Sequence, residues 1–382
     1  MIDKSTYSHQ DFFANQGNDL SPRAMIAPAR YIQGAGAMKN LGRYLGLLPA
    51  RRALVLITPG GQQRFGQLIE QTLAEAEISS QICLFAGECS YEEVARVTSA
   101  VGASEFAADC LIAVGGGKCI DAGKAIAFRL DVPLAVCPTI ASTDGPTSAV
   151  AVMYDEAGVS LGGEFYPQSP ALVVVDSAII AAAPPRFLAA GIADALASLY
   201  ELRANVTNPQ GRSMLGARTP LAVQAMVETG AEVLFRDGAA AMAAVRNNEV
   251  TAELENVIEA NTLISGIGFE SGGLAVVHAV AAGLTAVSSV RETFLHGELV
   301  AIGILTQLLL LDDNDEAEKV VRLFKTIGLP TCLGDLKLSL DDADAIDAVV
   351  EKAVAAPFIH HVGFTVTADL LHDALRKVND IT

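Results

Sequence analysis

The chain has 382 residues, of which 51% are hydrophobic, 5% aromatic and 18% charged, and it contains no tryptophan. This composition is typical of a large core of small aliphatic side chains and excludes extensive disorder. Lysine and arginine number 26 against 44 aspartates and glutamates, which gives a formal net charge of −18. Because no basic patch interrupts this acidity, nucleic acid and anionic membranes are excluded as partners.

Cysteine spacing and the N-terminal sequence indicate the compartment. The six cysteines form neither a C-x-x-C pair nor a secreted disulfide framework, so we expect reduced, mostly buried thiols. The N-terminus lacks the apolar run of a signal peptide, and no stretch has the ~18 uninterrupted apolar residues of a membrane span. The sequence therefore predicts a cytoplasmic protein whose residues 1–22 form a flexible extension.

In the first half of the chain, short apolar runs alternate with helical patterns. The predicted strands lie at 53–57, 82–85, 110–114, 134–137 and 171–176. Continuously apolar strands separated by helices indicate a parallel sheet covered on both faces. Helical periodicity then continues from Pro185 to the end. We therefore predict an α/β Rossmann-like N-terminal domain over residues 23–180 and an all-α C-terminal domain over residues 181–382.

A glycine-rich turn, Val114-Gly115-Gly116-Gly117-Lys118, follows a predicted strand and opens a helix. Glycines allow the backbone to approach an anion closely, and the free N–H groups of a helix start attract phosphate. The letters match neither the dinucleotide fingerprint, whose third glycine is replaced by Ile120, nor a Walker A loop. Taken alone, the turn is either a pyrophosphate site or a tight turn without a ligand.

A second candidate segment is the loop at 137–148, CPTIASTDGPTS, at the end of another predicted strand. Open α/β sheets bind ligands at that edge, and hydroxyl groups suit phosphate and ribose oxygens. The same residue types are also common in ordinary turns. The loop by itself does not decide between these two interpretations.

One acid and two histidines lie in otherwise apolar helical segments: Asp194, His278 and His296. Burial of an unpaired carboxylate is costly, so something must compensate Asp194. A single divalent metal would satisfy all three side chains and leave a coordination position open for substrate. From spacing alone, hydrogen-bonded core residues without a metal are the alternative.

Taken together, these segments resemble the glycerol dehydrogenases, the metal-dependent polyol branch of the iron-containing alcohol dehydrogenases. The segments that carry the resemblance are Gly115–Lys118 with Asp121, Pro138–Pro146, Ala183–Ala195, Glu259–His278 and His296–Glu298. The resemblance implies the dehydroquinate synthase-like architecture, with NAD and one divalent metal held in a cleft between the two domains. It also implies a small polyol substrate and a homo-oligomer, an octamer.

The resemblance also implies roles for individual residues. Asp194, His278 and His296 would bind the metal, with zinc as the first expectation and iron(II) as the alternative. Asp144 would face the polyol beside Asp194, which completes the expected catalytic set, although a turn-forming role is its alternative. The expected cofactor contacts are Thr58, Gly115, Gly116, Gly117, Lys118, Thr139, Ser142, Ser148, Val150 and Tyr154.

The chain departs from the family pattern at one cofactor position. Thr58 follows the first Rossmann strand, where the family has an aspartate that holds the ribose hydroxyls, and Arg64 follows nearby. Loss of the carboxylate removes a repulsion against a 2′-phosphate, and an arginine favours one. We therefore expect weaker selectivity for NAD, with NADP tolerated or preferred.

The predicted reaction is the reversible, metal-dependent, NAD(P)-linked oxidation of glycerol or a related 1,2-diol to the hydroxyketone. Three alternatives remain. They are a dehydrogenase of glycerol-1-phosphate or a 2-hydroxy acid, a synthase of the dehydroquinate synthase type, and a non-catalytic cofactor-binding homologue. The metal motifs carry no extra lysine or arginine, which disfavours anionic substrates. The intact acid–histidine set disfavours a non-catalytic protein.

Overall fold

The computed structural model describes residues 7, 8, 13, 21–155 and 157–381. Most of the expected extension at 1–22 lies outside these residues. The strands are β1 (Tyr31–Gly34), β2 (Arg52–Ile57), β3 (Ser79–Leu84), β4 (Cys110–Gly115), β5 (Leu134–Pro138), β6 (Val150–Tyr154), β7 (Ser160–Phe165) and β8 (Leu172–Asp176). The α-helices are α1 (Leu41–Leu45), α2 (Pro59–Glu75), α3 (Tyr91–Gly102), α4 (Gly117–Leu130), α5 (Ser177–Ala181), α6 (Pro185–Thr207), α7 (Leu221–Arg246), α8 (Ala252–Glu259), α9 (Ser265–Gly272), α10 (Val276–Leu284), α11 (Ser288–Thr293), α12 (His296–Leu310), α13 (Asn314–Ile327), α14 (Ala343–Val354) and α15 (Ala368–Asp380).

Six strands form one parallel sheet in the order β1-β8-β5-β4-β2-β3. The direction of chain progress reverses at β2, because β3 pairs with one edge of β2 and β4 pairs with the other. Open α/β sheets bind their ligands outside the carboxyl ends of the strands at such a switch point. The turns after β2 and β4 therefore mark the edge of the sheet where a nucleotide is expected.

Alternate residues of the central strands enter two different hydrophobic clusters. Ala53, Val55 and Ile57 of β2 pack in the cluster that includes α1 and α2. Leu54 and Leu56 pack on the opposite face with α3 and α4, in a cluster that continues into the helical half. Burial on both faces explains why these strands are continuous apolar runs in the sequence.

After β8, every regular element of the described chain is helical. The predicted fold class, a Rossmann-like α/β part followed by an all-α part, is confirmed. The domain boundary near residue 180 stays a prediction, supported by the end of the last strand at Asp176. Sequence reasoning missed β1 and the β6–β7 hairpin, because β1 is short and half-buried and most of β7 is exposed.

The apolar helices of the second half pack largely against one another, and α12 contacts both α6 and α10. This packing brings three helices that carry Asp194, His278 and His296 to one place. Within the described ranges, no single helix is long and apolar enough to cross a membrane. The helical segments 252–272 and 276–284 together have the length and composition of a membrane span, but the chain bends by 103° between them.

Candidate active site

Three helices place the predicted metal ligands together. Asp194 lies within α6, His278 lies within α10, and His296 is the first residue of α12. Asp194 Oδ1 lies 3.2 Å from His296 Nε2 and 3.8 Å from His278 Nε2. One potential ligand atom from each residue lies within 4.8 Å of the others. The three side chains therefore form one compact cluster.

The start of α12 is held against α6 by close packing and by an ion pair. A Cβ on Gly297 would lie 1.9 Å from the carbonyl oxygen of Ala190, so the approach requires glycine. Arg186 Nε donates to Glu298 Oε1 at 2.6 Å, and Arg186 Nη2 donates to Glu298 Oε2 at 2.6 Å. These contacts determine where His296 lies relative to Asp194.

The loop after β5 reaches Asp194 from the other side. A Cβ on Gly191 would lie 2.0 Å from the carbonyl oxygen of Ala141, so only glycine allows the loop to pass so close to α6. The backbone N–H of Asp144 then donates to Asp194 Oδ2 at 3.0 Å. The residue expected to face the polyol therefore lies directly beside the metal cluster.

The cluster fits a divalent cation. Asp194 is 1% exposed, and its Oδ1 makes no hydrogen bond of good geometry with the described residues. Such an orphaned buried carboxylate oxygen costs free energy unless a cation or a proton compensates it. One carboxylate and two imidazoles are a donor set that both zinc and iron(II) accept.

The charges of the cluster shift the pKa values of its members. Burial raises the pKa of Asp194, but His296 and His278 outweigh burial and hold that pKa below its ordinary value. Burial lowers the pKa of His278, whereas Glu201 and Asp194 raise it, and the net result lies well above the ordinary value. Burial and then the charge of Asp194 raise the pKa of Asp144 well above its ordinary value.

Sequence reasoning missed Glu201, which lies two turns after Asp194 on the same helix. It is fully buried, and its Oε2 lies 2.6 Å from Nδ1 of His278. An acid within an apolar helix, on the same face as another buried acid, is the signal that could have identified it. Glu201 thus places a second carboxylate at Nδ1 of His278, whereas Asp194 faces Nε2 on the other side of the ring.

The glycine-rich turn has the geometry of an anion site. α4 begins at Gly117, and its N-cap residue, Gly116, has no side chain to satisfy the first N–H groups. Gly115 lies opposite Pro138 in the pairing of β4 with β5, and the N–H of Thr139 donates to the carbonyl oxygen of Gly115 at 3.0 Å. Two predicted cofactor segments therefore adjoin each other.

Thr58 lies next to this turn. A Cβ on Gly115 would lie 3.4 Å from Cγ2 of Thr58, and the Thr58 hydroxyl accepts from the N–H of Gly61 at 3.0 Å as the cap of α2. The guanidinium of Arg64 lies 5.4 Å from the centroid of the Phe65 ring. The predicted ribose contact of Thr58 stays a prediction.

Two further predicted cofactor residues, Lys118 and Tyr154, lie together. Lys118 Nζ is 4.9 Å from the centroid of the Tyr154 ring and donates to Glu88 Oε2 at 2.6 Å. Sequence reasoning did not identify Glu88. A pyrophosphate bound at this turn competes with Glu88 for the lysine.

A buried lysine that sequence reasoning also missed binds two of the remaining predicted contacts, Ser148 and Val150. Lys124 Nζ donates to Asp121 Oδ1 at 3.0 Å, to Ser148 Oγ at 3.1 Å and to the carbonyl oxygen of Val150 at 2.6 Å. Ser142, the last predicted contact, is buried in the loop after β5. Lys124 follows Asp121 at a helical spacing of three, which is the signal that could have paired them.

Comparisons with known proteins agree with this arrangement. The family described as iron-containing alcohol dehydrogenase matches residues 28–177. The chain is 41% identical to a glycerol dehydrogenase from Pseudomonas putida over 362 residues, covering 94% of this chain and 98% of that protein. It is 40% identical to a glycerol dehydrogenase from Escherichia coli O6:H1 over 358 residues, covering 92% of this chain and 95% of that protein.

Its fold is also similar to that of a solved structure. The crystal structure of a probable glycerol dehydrogenase from Sinorhizobium meliloti 1021 matches with a TM-score of 0.87 and 38% sequence identity, covering 94% of this chain and 98% of that one. Identity at this level over nearly the whole of both chains includes the sheet and the helical half alike. The chain belongs to the iron-containing alcohol dehydrogenase family, in its glycerol dehydrogenase branch.

Proposed function

We propose that the protein catalyses the reversible NAD(P)-linked oxidation of glycerol, or a related 1,2-diol, to the hydroxyketone. The observation that carries this proposal is the convergence of His278 and His296 on the orphaned Oδ1 of Asp194, directly beside Asp144. The names of the relatives support the choice of substrate. Asp144 and Asp194 place acidic groups at the substrate position, which disfavours phosphorylated or carboxylated alcohols.

The residues of the chain divide the chemistry between them. Asp194, His278 and His296 would hold the divalent cation, which when bound supplies Lewis-acid polarisation of a hydroxyl group. The Asp144 carboxyl group hydrogen-bonds the neighbouring hydroxyl, so a diol is oriented better than a simple alcohol. The loop that carries Asp144 begins beside the glycine-rich turn and so would hold the substrate next to a nicotinamide. Oxidation of the diol removes a hydride from the carbinol carbon, which a bound NAD(P)⁺ would accept, and a proton from the hydroxyl group, which would leave to solvent.

The cofactor would lie along the carboxyl edge of the sheet. The free N–H groups at the start of α4 would bind the pyrophosphate, with Lys118 and Tyr154 beside it. At the end of β2, Thr58 brings no carboxylate and Arg64 adds a cation within the first turns of α2. We therefore propose that NADP is accepted alongside NAD or in preference to it. Zinc is the proposed metal, with iron(II) as the alternative.

We also propose a homo-oligomer, an octamer, and a cytoplasmic location. The family resemblance supports the assembly, and light scattering of the purified protein measures it. The six cysteines are free thiols, which suits a reducing compartment.

A substrate panel tests the proposed function. The protein is stripped of metal, reloaded with Zn²⁺ or Fe²⁺, and assayed with NAD and NADP on glycerol, propane-1,2-diol, propan-1-ol, glycerol-1-phosphate and a 2-hydroxy acid. We expect the highest kcat/KM for the two uncharged diols and almost no turnover by Asp194→Asn, with an unchanged circular dichroism spectrum. Preference for an anionic substrate, or full activity of Asp194→Asn without metal, would overturn the proposal.

A further inference from the structure

We propose that Glu201 is a positioning residue that holds His278 in the tautomer whose Nε2 lone pair is free for the metal. The inference rests on the proposed function, because it assumes that His278 is a metal ligand. It assigns different roles to two acidic residues of one helix. α6 carries Asp194 as a ligand and, two turns later, Glu201 as the group that orients a second ligand.

The contacts of Glu201 determine the tautomer. Glu201 Oε2 lies 2.6 Å from Nδ1 of His278, and Glu201 Oε1 accepts from the backbone N–H groups of His278 at 2.9 Å and of Ala275 at 2.8 Å. An ionised carboxylate can only accept hydrogen bonds, so Nδ1 must carry the proton. As a metal ligand His278 is a neutral imidazole with one N–H, so a proton on Nδ1 leaves Nε2 as the unprotonated donor atom for the metal.

The direction of the ring agrees with this assignment. Nε2 of His278 is the nitrogen that points to the metal cluster, 3.8 Å from Asp194 Oδ1. Glu201 is 0% exposed, and the ring of Phe269 lies 5.8 Å from the His278 ring, centroid to centroid. Because its surroundings are dry and packed, the carboxylate cannot exchange this partner for water.

Glu201 also binds the start of α10, so a structural role must be separated from a positioning role. Gln307 supplies the comparison. Its Oε1 accepts from the N–H groups of Val276 at 3.0 Å and Val277 at 3.3 Å, and its Nε2 donates to the carbonyl oxygen of Tyr200 at 2.9 Å. Gln307 thus stabilises the same helix start from an equally buried position, but these bonds do not include the His278 ring.

The test compares Glu201→Gln with Gln307→Met in the full-length protein, using Zn²⁺ affinity by competition with a chelating dye and the visible spectrum of bound Co²⁺. When the glutamine oxygen keeps the two backbone N–H groups, its NH₂ group faces Nδ1 and moves the imidazole proton to Nε2. We expect the Zn²⁺ affinity of Glu201→Gln to fall about 10- to 100-fold, with an altered Co²⁺ spectrum. Gln307→Met should lower the melting temperature and leave both metal readouts unchanged.

Equal Zn²⁺ affinity of Glu201→Gln and wild type would overturn the inference, and so would an equal loss in Gln307→Met. If Glu201→Gln does not fold, Glu201→Asp replaces it. That variant keeps the charge but withdraws the carboxylate from Nδ1, so unchanged affinity would again contradict the inference. A wild-type protein that binds neither Zn²⁺ nor Co²⁺ would instead overturn the metal site on which the proposed function depends.

Discussion

The two carboxylate oxygens of Asp194 have different partners. Oδ2 accepts the backbone N–H of Asp144 in the loop after β5, whereas Oδ1 faces the two histidines. The hydrogen bond to Oδ2 fixes the plane of the carboxylate and so aims Oδ1 at the cluster. Asp194 therefore links the loop after β5 with the two histidines.

At the residue scale, Thr58→Asp should shift cofactor preference towards NAD. Aspartate also caps helices, so the start of α2 is retained while a negative charge is added where a 2′-phosphate would lie. We expect the ratio of kcat/KM for NADP to that for NAD to fall at least about tenfold, which corresponds to about 1.4 kcal/mol. Parallel measurement of both Kd values by nucleotide fluorescence separates binding from turnover.

Thr58→Ser serves as the control for this cofactor prediction, because it keeps both the cap and the neutral charge. Arg64→Gln should weaken NADP and leave NAD unchanged. A cofactor ratio that Thr58→Asp does not alter would contradict the placement of the 2′-phosphate at the end of β2.

Individual site residues differ in how visible they are in the sequence. Asp194 and the two histidines stand out because each is a polar residue in an apolar helical segment, and burial then requires compensation. Glu201 and Lys124 meet the same requirement through partners distant in the chain, such as backbone N–H groups and a carbonyl oxygen. Such partners have no residue type, so the sequence shows that a buried acid or lysine is present but not which backbone groups compensate it.

At the scale of elements, glycines set the distances between the parts of the site. Gly191 and Gly297 allow a loop and a helix to approach α6 on either side of Asp194. In α9, a Cβ on Gly266 would lie 1.9 Å from Oγ1 of Thr147, a residue of the same loop. The loop after β5 is thus packed between α6 and α9, where the sheet meets the helical half.

Gly297→Ala should displace the start of α12 and with it His296. The added methyl group meets a backbone carbonyl oxygen that cannot move without shifting α6. We expect a loss of about 1–3 kcal/mol in the free energy of unfolding, together with lower Zn²⁺ affinity and kcat. Denaturant unfolding and dye competition measure these effects.

Gly238→Ala in α7 is the matched control for this packing prediction. Its Cβ would make only ordinary contacts, the nearest at 3.6 Å to Leu323, and alanine is the better helix former. We expect unchanged activity and equal or higher stability. If Gly297→Ala behaved like this control, close approach at Ala190 would not position His296.

Prediction at the element scale succeeded where burial imposed a pattern. The central strands are apolar because both faces of the sheet are covered. The β6–β7 hairpin lies outside that sheet, and every residue of β7 is exposed or half-buried, so β7 lacks the apolar pattern of a buried strand. β6 is a mostly buried apolar run, VAVMY, that sequence reasoning overlooked.

For the whole molecule, the net charge of −18 coexists with three cationic side chains near the carboxyl edge of the sheet, of which Lys118 pairs with Glu88 and Lys124 with Asp121. Lys118, Lys124 and Arg64 all lie on α4 or α2, next to the turns after β4 and β2. A pyrophosphate responds to the field at that edge and to free N–H groups rather than to the total charge. The total acidity, which disfavours polyanions, is therefore compatible with the proposed dinucleotide site.

Zn²⁺ should stabilise the whole chain against heat, because its ligands belong to three helices of one core. Free Zn²⁺ at about 100 times its Kd adds about 2.7 kcal/mol to the free energy of unfolding. We expect a rise of several degrees in Tm on adding Zn²⁺ and its reversal by chelator. Differential scanning calorimetry of wild type and Asp194→Asn measures the effect, and an equal rise in both proteins would contradict the assigned ligands.

The expected nucleotide contacts and the metal ligands come from different stretches of the chain. All the nucleotide contacts precede residue 155, and all the metal ligands follow Pro185. Redesign of coenzyme use at the end of β2 can therefore proceed without touching the coordination sphere, and ligand exchange on α10 or α12 leaves the coenzyme contacts intact. The loop packed between α6 and α9 is the exception, since a change there would alter the expected nucleotide contacts and the surroundings of the expected metal ligands at once.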